Sequence, residues 1–303
     1  MSNFFLVLIY LVIGALLRRT ALMPDNAASV LNAYVLYVAF PALILKSLPG
    51  LQFSFDLLIP ALTPWILLAF SVLLVLRLSR WLHWSREQTG ALLILVPLGN
   101  TSFLGYPLVE AFFGADAIPY ALVYDQMGSF LALTIYATII AAIYSPALST
   151  PDAVSVIRKI ITFPSFVALI VGLLLFNVEK PALAISAIDN IAATLVPVVM
   201  VAVGFQLSLR FDTREVSPLL VALSLKLLLL PVLAWSMWSL AGQSGQAVDI
   251  TIFQAAMPSM ISAGAVASMA GLSPRLVSGV TGLGILCSLV TLPLVYWLIT
   301  NVA

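Results

Sequence analysis

Runs of about 20 mainly apolar residues, each the length of a membrane-spanning helix, follow one another through all 303 residues with only short polar connections between them. A chain of this pattern has no way to face water. It carries 13 basic and 12 acidic residues, is 62% hydrophobic and has a mean hydropathy of +1.15. A soluble surface of this size needs far more ionisable groups. The fold class that follows is an all-α integral membrane protein, and the bilayer is its solvent.

The runs fall at 3–18, 28–48, 57–78, 89–114, 117–144, 158–178, 183–207, 217–240, 248–271 and 275–300, which predicts ten spans. Phe4 to Leu17 has the length of a signal peptide. It lacks a basic leading region and ends in Arg18-Arg19 where a cleavage site would need small residues, so it is expected to be a retained first span. Connections after odd-numbered spans hold Arg18, Arg19, Arg77, Arg80, Arg86, Arg158, Lys159, Arg210, Arg214 and Arg275; those after even-numbered spans hold only Lys46 and Lys180. Cytoplasmic loops concentrate Lys and Arg. Both termini are therefore expected on the extracytoplasmic side, the cell (inner) membrane of a bacterium being the expected location. Trp81, His83 and Trp84 read as an interfacial belt. No second metal ligand is near His83, and Cys287, in an apolar run, is expected to be a packed core thiol. A net charge of +1 with no long basic run gives no sign of a nucleic-acid partner, and none is expected.

The two halves echo each other. Gly14 and Gly172 are 158 residues apart, as are Asn32 and Asn190; Pro41 and Pro197 are 156 apart, and Gly114 and Gly271 are 157 apart. Five spans per half is an odd number, so the second half enters the membrane from the opposite side. The reading is two inverted repeats, 1–150 and 151–303. Such repeats supply two related packings, the physical basis of alternating access.

Spans four and nine are broken. In residues 92–114, Pro97, Gly99, Gly105 and Pro107 interrupt the helix, because proline removes a donor and glycine forms helix poorly; Asn100, Thr101 and Ser102 lie in the gap. In residues 250–271, Pro258 and Gly264 bracket Ser259 and Ser262, with Gln254 one turn before. Unwound backbone at membrane depth is tolerated only inside protein or against a watery cavity. Half-helices beginning near Pro107 and Gly264 are expected to aim their positive ends at the centre, which suits a carboxylate. Ordinary kinks with small residues for tight packing are the alternative.

The run GNTSFLGYPLVEAFFG, with NAYVLYVAFPALIL (32–45), VYDQMGSF (123–130), LKLLLLP (225–231) and AAMPS (255–259), resembles the auxin efflux carrier family, which includes bacterial malate and malonate permease-like carriers and is related to plant PIN proteins. The resemblance covers nearly the whole chain. It implies a ten-helix fold with crossed broken helices 4 and 9, similar to bile acid symporters and sodium/proton antiporters. It further implies a scaffold of spans 1, 2, 6 and 7 beside a transport domain of spans 3–5 and 8–10. The long central loop of many plant members is missing here, which makes a compact bacterial member the expectation and auxin an unsafe substrate guess.

Two ionisable residues fall inside spans. Asp125 lies about eight residues into span five, roughly 12 Å deep, and Lys226 about ten residues into span eight. Each costs roughly 2.5–3.5 kcal/mol on insertion, so neither should face lipid. They could pair as a structural salt bridge. Alternatively, Asp125 couples transport to a proton or sodium ion while Lys226 attracts the anion. Asn32 and Asn190 could face the cavity or simply pack. No metal-spaced His/Cys/carboxylate cluster, HExxH, GxSxG or Walker loop is found, so no enzyme and no cofactor is expected. The expected function is secondary active transport of small organic anions, carboxylates or auxin-like weak acids, by an elevator-type or rocking motion. An anion channel and a membrane-embedded organic-acid sensor are the alternatives. The partners are that anion and the membrane lipids, with a homodimer suggested only by analogy with relatives.

Overall fold

The computed structural model describes residues 2–20, 22–50, 54–145, 152–176, 178–207 and 215–302. Arg210 and Arg214, two of the ten basic residues behind the expected orientation, lie outside them. In chain order the helices are α1 (Ser2–Arg19), α2 (Ala27–Tyr34), α3 (Phe40–Ser47), α4 (Leu58–Trp81), α5 (Arg86–Leu95), α6 (Tyr106–Phe113), α7 (Ile118–Tyr124), α8 (Thr138–Tyr144) and α9 (Ala153–Thr162). They continue with α10 (Pro164–Leu174), α11 (Ala182–Ala193), α12 (Leu195–Gln206), α13 (Val216–Ser224), α14 (Leu230–Leu240), α15 (Gln246–Ala255), α16 (Ile261–Met269) and α17 (Pro274–Val302). Widened π-type turns occupy Val35–Ala39, Thr101–Gly105, Asp125–Ser129, Ala132–Ala137 and Leu225–Leu229. Among the described residues there is no strand, only one isolated antiparallel bridge.

Six helical segments are long and apolar enough to cross a bilayer: Ala27–Gly50, Phe55–Trp81, Ala115–Tyr144, Ala182–Gln206, Val216–Leu240 and Pro274–Asn301. The pair α9 and α10, bent by 60°, makes a seventh if counted as one span. The other sequence runs are carried by the 18-residue α1 and by the interrupted pairs α5–α6 and α15–α16.

The chain divides into two compact units. The first comprises Met1–Phe53, Ser102–Leu122 and Ile157–Leu207. Here α1 lies along α12 at backbone distance. A Cβ added at Gly14 would overlap the Val201 carbonyl, and one added at Gly204 would overlap the Leu11 carbonyl. Small residues are what let two membrane helices approach this closely. Gly172 of α10 similarly makes room for the Leu48 side chain just beyond α3. Arg18 caps the end of α12 through the Phe205 and Leu207 carbonyls, a cation at the negative end of a helix.

The second unit comprises Ser54–Thr101, Val123–Val156 and Ser208–Ala303. Its helix α5 starts from a capping box. The Ser85 hydroxyl accepts from the Gln88 N–H at 3.1 Å, and the Gln88 side chain accepts from the Ser85 N–H at 3.0 Å, which satisfies two otherwise orphaned donors. The Ser85 hydroxyl also holds the Glu87 carboxyl below its ordinary range. On α4, Pro64 packs where Gly128 has no side chain, and the Trp65 indole donates to the Met127 carbonyl at 2.9 Å. Trp238 of α14 donates to the Thr63 hydroxyl at 2.9 Å. These contacts lock α4 and α14 around the π-turn that begins at Asp125.

Cys287 is exposed on α17, not packed in a core. The expectation fails because a membrane helix is apolar on its lipid face as well as its buried one, so hydrophobicity alone does not tell them apart.

Candidate functional site

Helix α5 ends at Leu95 and α15 at Ala255, and each is followed by five residues that belong to no helix, 96–100 and 256–260. The two breaks run antiparallel through the Gly99–Ser259 bridge. The Asn100 N–H donates to the Pro258 carbonyl at 2.7 Å, and the Met260 N–H to the Leu98 carbonyl at 2.9 Å. Exchange the two breaks and each bond becomes the other. Backbone groups in the centre of a membrane protein must be satisfied internally, and here each interrupted segment satisfies the other.

Helical backbone resumes directly after the bridge, at Thr101 in one segment and Ile261 in the other. This corrects three of the expected break positions. Gly105 and Pro107 lie within helical backbone, as does Gly264. A proline inside a helix removes one backbone donor, and Pro107 falls directly after the widened π-turn Thr101–Gly105, where the regular ladder is already interrupted. Gly264 is a packing glycine, since a Cβ there would stand 2.9 Å from Thr281 Cγ2 of α17. Gly99 and Pro258 do sit in the breaks.

A set of buried polar residues surrounds the bridge within the second unit. Asn100, Thr101, Asp125, Gln126, Lys226, Gln254 and Ser259 are each at most 4% exposed, and Thr251, one turn before the end of α15, is equally buried. The Thr101 hydroxyl and the Gln126 amide donate to the two carboxylate oxygens of Asp125, at 2.5 and 2.9 Å. Gln254 donates to the Thr101 carbonyl at 3.3 Å.

The last carbonyls of the two interrupted helices have different partners. The Leu95 carbonyl accepts from the Ser259 hydroxyl at 2.8 Å. On exchange of the two breaks the Ala255 carbonyl corresponds to Leu95 and Gly99 to Ser259; Gly99 has no side chain to offer, and the Ala255 carbonyl accepts from the Lys226 ammonium at 3.3 Å. A Cβ on Gly99 would lie 3.1 Å from that nitrogen. Among the described residues this is the one hydrogen bond Lys226 makes, and its ammonium forms no ion pair with Asp125. Asp125 and Lys226 each lie in a π-turn, as its first and second residue respectively, a backbone irregularity frequent at functional sites.

Four buried atoms of this cluster have no hydrogen-bond partner in the protein: Asn100 Nδ2, Gln126 Oε1, Gln254 Oε1 and Thr251 Oγ1. Each such atom costs about 1–3 kcal/mol if it stays unpaired, so a group of them marks a place for water or ligand.

Of the residues expected from sequence, the structure brings together Asn100, Thr101, Lys226, Gln254, Ser259 and Asp125. Ser102 belongs to the first unit, and Ser262 is half-buried on α16, one residue past its start. In the first unit, Asn32 Oδ1 is buried without a partner, while Asn190 reaches Ser186 at 3.5 Å. Gln126 and Thr251 were not foreseen. A glutamine beside the buried aspartate was the one available signal for the first; a threonine in an apolar helix gave none for the second.

The chain matches the profile of the membrane transport protein family over residues 1–296. It is 27% identical over 298 residues to an uncharacterized transporter of Methanothermobacter thermautotrophicus, which covers 95% of this chain and 94% of that protein. It is 22% identical over 305 residues to an uncharacterized transporter of Methanocaldococcus jannaschii, which covers 98% of this chain and 97% of that protein.

Proposed function

We propose that this chain, which belongs to the membrane transport protein (auxin efflux carrier) family, is a secondary transporter of small organic anions that binds its cargo beside the Gly99–Ser259 bridge. That it is an integral membrane transporter follows from the family. The anion, the site and the mechanism are our reading. The observation that carries it is a buried amide donor, Asn100 Nδ2, without a partner, next in sequence to the glycine that faces the Lys226 ammonium. A carboxylate has two acceptor oxygens and one negative charge, and an amide donor with an ammonium complements both. The helix N-terminus starting at Ile261 adds its positive end.

Asp125, held by Thr101 and Gln126, is the residue we assign to coupling, through a proton or sodium ion. Thr101 joins it to the break that would carry the anion, so loading one site alters the other. Ten spans in two inverted repeats, moving by alternating access as an elevator or a rocker, complete the reading. The interchangeable bonds of the two breaks and the matched positions of Gly114 and Gly271 support it. These glycines end α6 and α16 with φ of +89° and +74°.

The test is uptake into proteoliposomes of labelled malate and of an aromatic weak acid, under imposed proton or sodium gradients. Saturable uptake accelerated by unlabelled anion on the far side is expected. Flux that neither saturates nor exchanges would make the protein a channel, and stabilisation by an organic acid without flux would make it a sensor.

A further inference from the structure

We propose that α9 is an interfacial helix that binds the headgroups of anionic phospholipids in the surrounding bilayer. Nothing about cargo, coupling or orientation enters this inference; it needs only that the protein is embedded in a membrane.

The helix Ala153–Thr162 reads AVSVIRKIIT, and none of its residues is buried. At about 100° per residue, its side chains sort into two arcs. Val154, Val156, Ile157, Ile160 and Ile161 fall within roughly 160° of one another, and Ser155, Arg158, Lys159 and Thr162 within roughly 100° on the opposite side. Three of the apolar residues are more than half exposed: Val154 at 70%, Ile157 at 57% and Ile161 at 53%. An apolar face this complete, with no core behind it, needs something apolar to cover it.

The bend identifies what that is. Helix α9 meets α10 at 60°. Ten residues make a helix about 15 Å long, which rises only about 7 Å along the direction of α10. That matches the depth of one headgroup layer, about 5–8 Å, the difference between the hydrocarbon core and the full bilayer on each side. A helix lying at that level places aliphatic side chains against acyl chains and cations against phosphates. Arg158 and Lys159 carry the complementary charge, and no acidic residue of α9 offsets them. Each basic residue near an anionic surface strengthens association about five-fold.

The experiment uses the full chain with Cys287, which is exposed, replaced by serine. Single cysteines at Ile157 and at Ser155 carry a fluorophore, and the protein is reconstituted in phosphatidylcholine with or without phosphatidylglycerol. The label at 157 should be quenched by brominated acyl chains and shielded from a neutral aqueous quencher, with the reverse at 155. Brominated phosphatidylglycerol should quench the 157 label several-fold more effectively than brominated phosphatidylcholine at the same mole fraction. The double substitution R158Q/K159Q should abolish that preference while acyl-chain quenching persists. Three outcomes overturn the proposal. Equal aqueous quenching at 155 and 157 means that the helix is not lodged in the interface. Shielding of 157 from both quenchers means that protein covers this face. Equal quenching by the two brominated lipids means that no headgroup is selected.

Discussion

Gly99 and Ser259 occupy equivalent positions on either side of one antiparallel bridge, yet only Ser259 has a side chain to satisfy the carbonyl it faces. The hydroxyl of Ser259 serves Leu95, and Lys226 serves Ala255 in place of the hydroxyl that Gly99 lacks. A pseudo-symmetric frame thus recruits a cation at one of its two ends. The missing side chain is what admits it.

Gly99→Ser tests this relationship directly. The new Cβ would stand 3.1 Å from Lys226 Nζ, so the ammonium must withdraw while the serine hydroxyl takes over the Ala255 carbonyl. The Ala255 carbonyl keeps a partner, but the buried ammonium loses its one hydrogen bond, so stability in detergent should fall by about 1–3 kcal/mol. Transport should fall about ten-fold or more, because the charge has left the site. Uptake at the wild-type rate would show that the position of the ammonium is immaterial.

Lys226→Met separates chemistry from scaffolding in the opposite direction. A charge inside a span costs roughly 2.5–3.5 kcal/mol, and the substitution removes it. The loss is the hydrogen bond to Ala255, whose carbonyl stays unpaired at about 1–3 kcal/mol. The balance lies near zero or on the stabilising side, so the unfolding midpoint should hold or rise while organic-anion uptake is lost. The double variant G99S/K226M restores a partner to Ala255 and should be more stable than K226M, with no recovery of uptake. A large drop in midpoint for K226M would make the lysine a structural element.

How far this site was legible in the sequence depends on the residue. Pro97, Gly99 and Pro258 announce the breaks because their backbone chemistry is incompatible with a continuous helix. Where each break ends was not legible, since proline beside a π-turn and glycine at a close helix contact look the same in one dimension as a break. Gly105, Pro107 and Gly264 misled for that reason. Asp125 and Lys226 stood out by charge alone. That each lies in a π-turn, and that they are held by different partners, depends on how α4 and α15 pack against them, and the local sequence carries no record of it.

Asp125→Asn should leave the fold nearly intact and change the coupling. Thr101 donates to one carboxylate oxygen and Gln126 to the other. An asparagine keeps one acceptor for Thr101 and presents an N–H₂ to Gln126. Gln126 can turn its amide over and meet that donor with Oε1, which has no partner in the native protein. The stability change should therefore stay within about 1 kcal/mol. If Asp125 carries the coupling ion, the response of uptake to an imposed proton or sodium gradient disappears in this variant while exchange of anion for anion persists. An unchanged gradient response would remove Asp125 from that role.

Two glycine-to-alanine changes distinguish a packing demand from a conformational one. At Gly128 the added methyl would overlap the Pro64 ring of α4, and a proline ring has no rotamer by which to move aside. Overpacking of this kind costs about 1–3 kcal/mol, and the strain falls on the π-turn Asp125–Ser129. Gly128→Ala should therefore lower both the unfolding midpoint and the coupled uptake. At Gly114 nothing lies within 4 Å of an added Cβ, but φ is +89° and ψ 173°, a region nearly confined to glycine that costs other residues about 1–3 kcal/mol. Gly114→Ala should lower the midpoint by a similar amount with coupling unaffected, because the strain sits at the end of α6, outside the π-turn that carries Asp125. The comparison is made at matched stability, with gradient-driven uptake as the readout. If both variants lose coupling to the same degree, general destabilisation is the cause and the Pro64–Gly128 contact does not position Asp125.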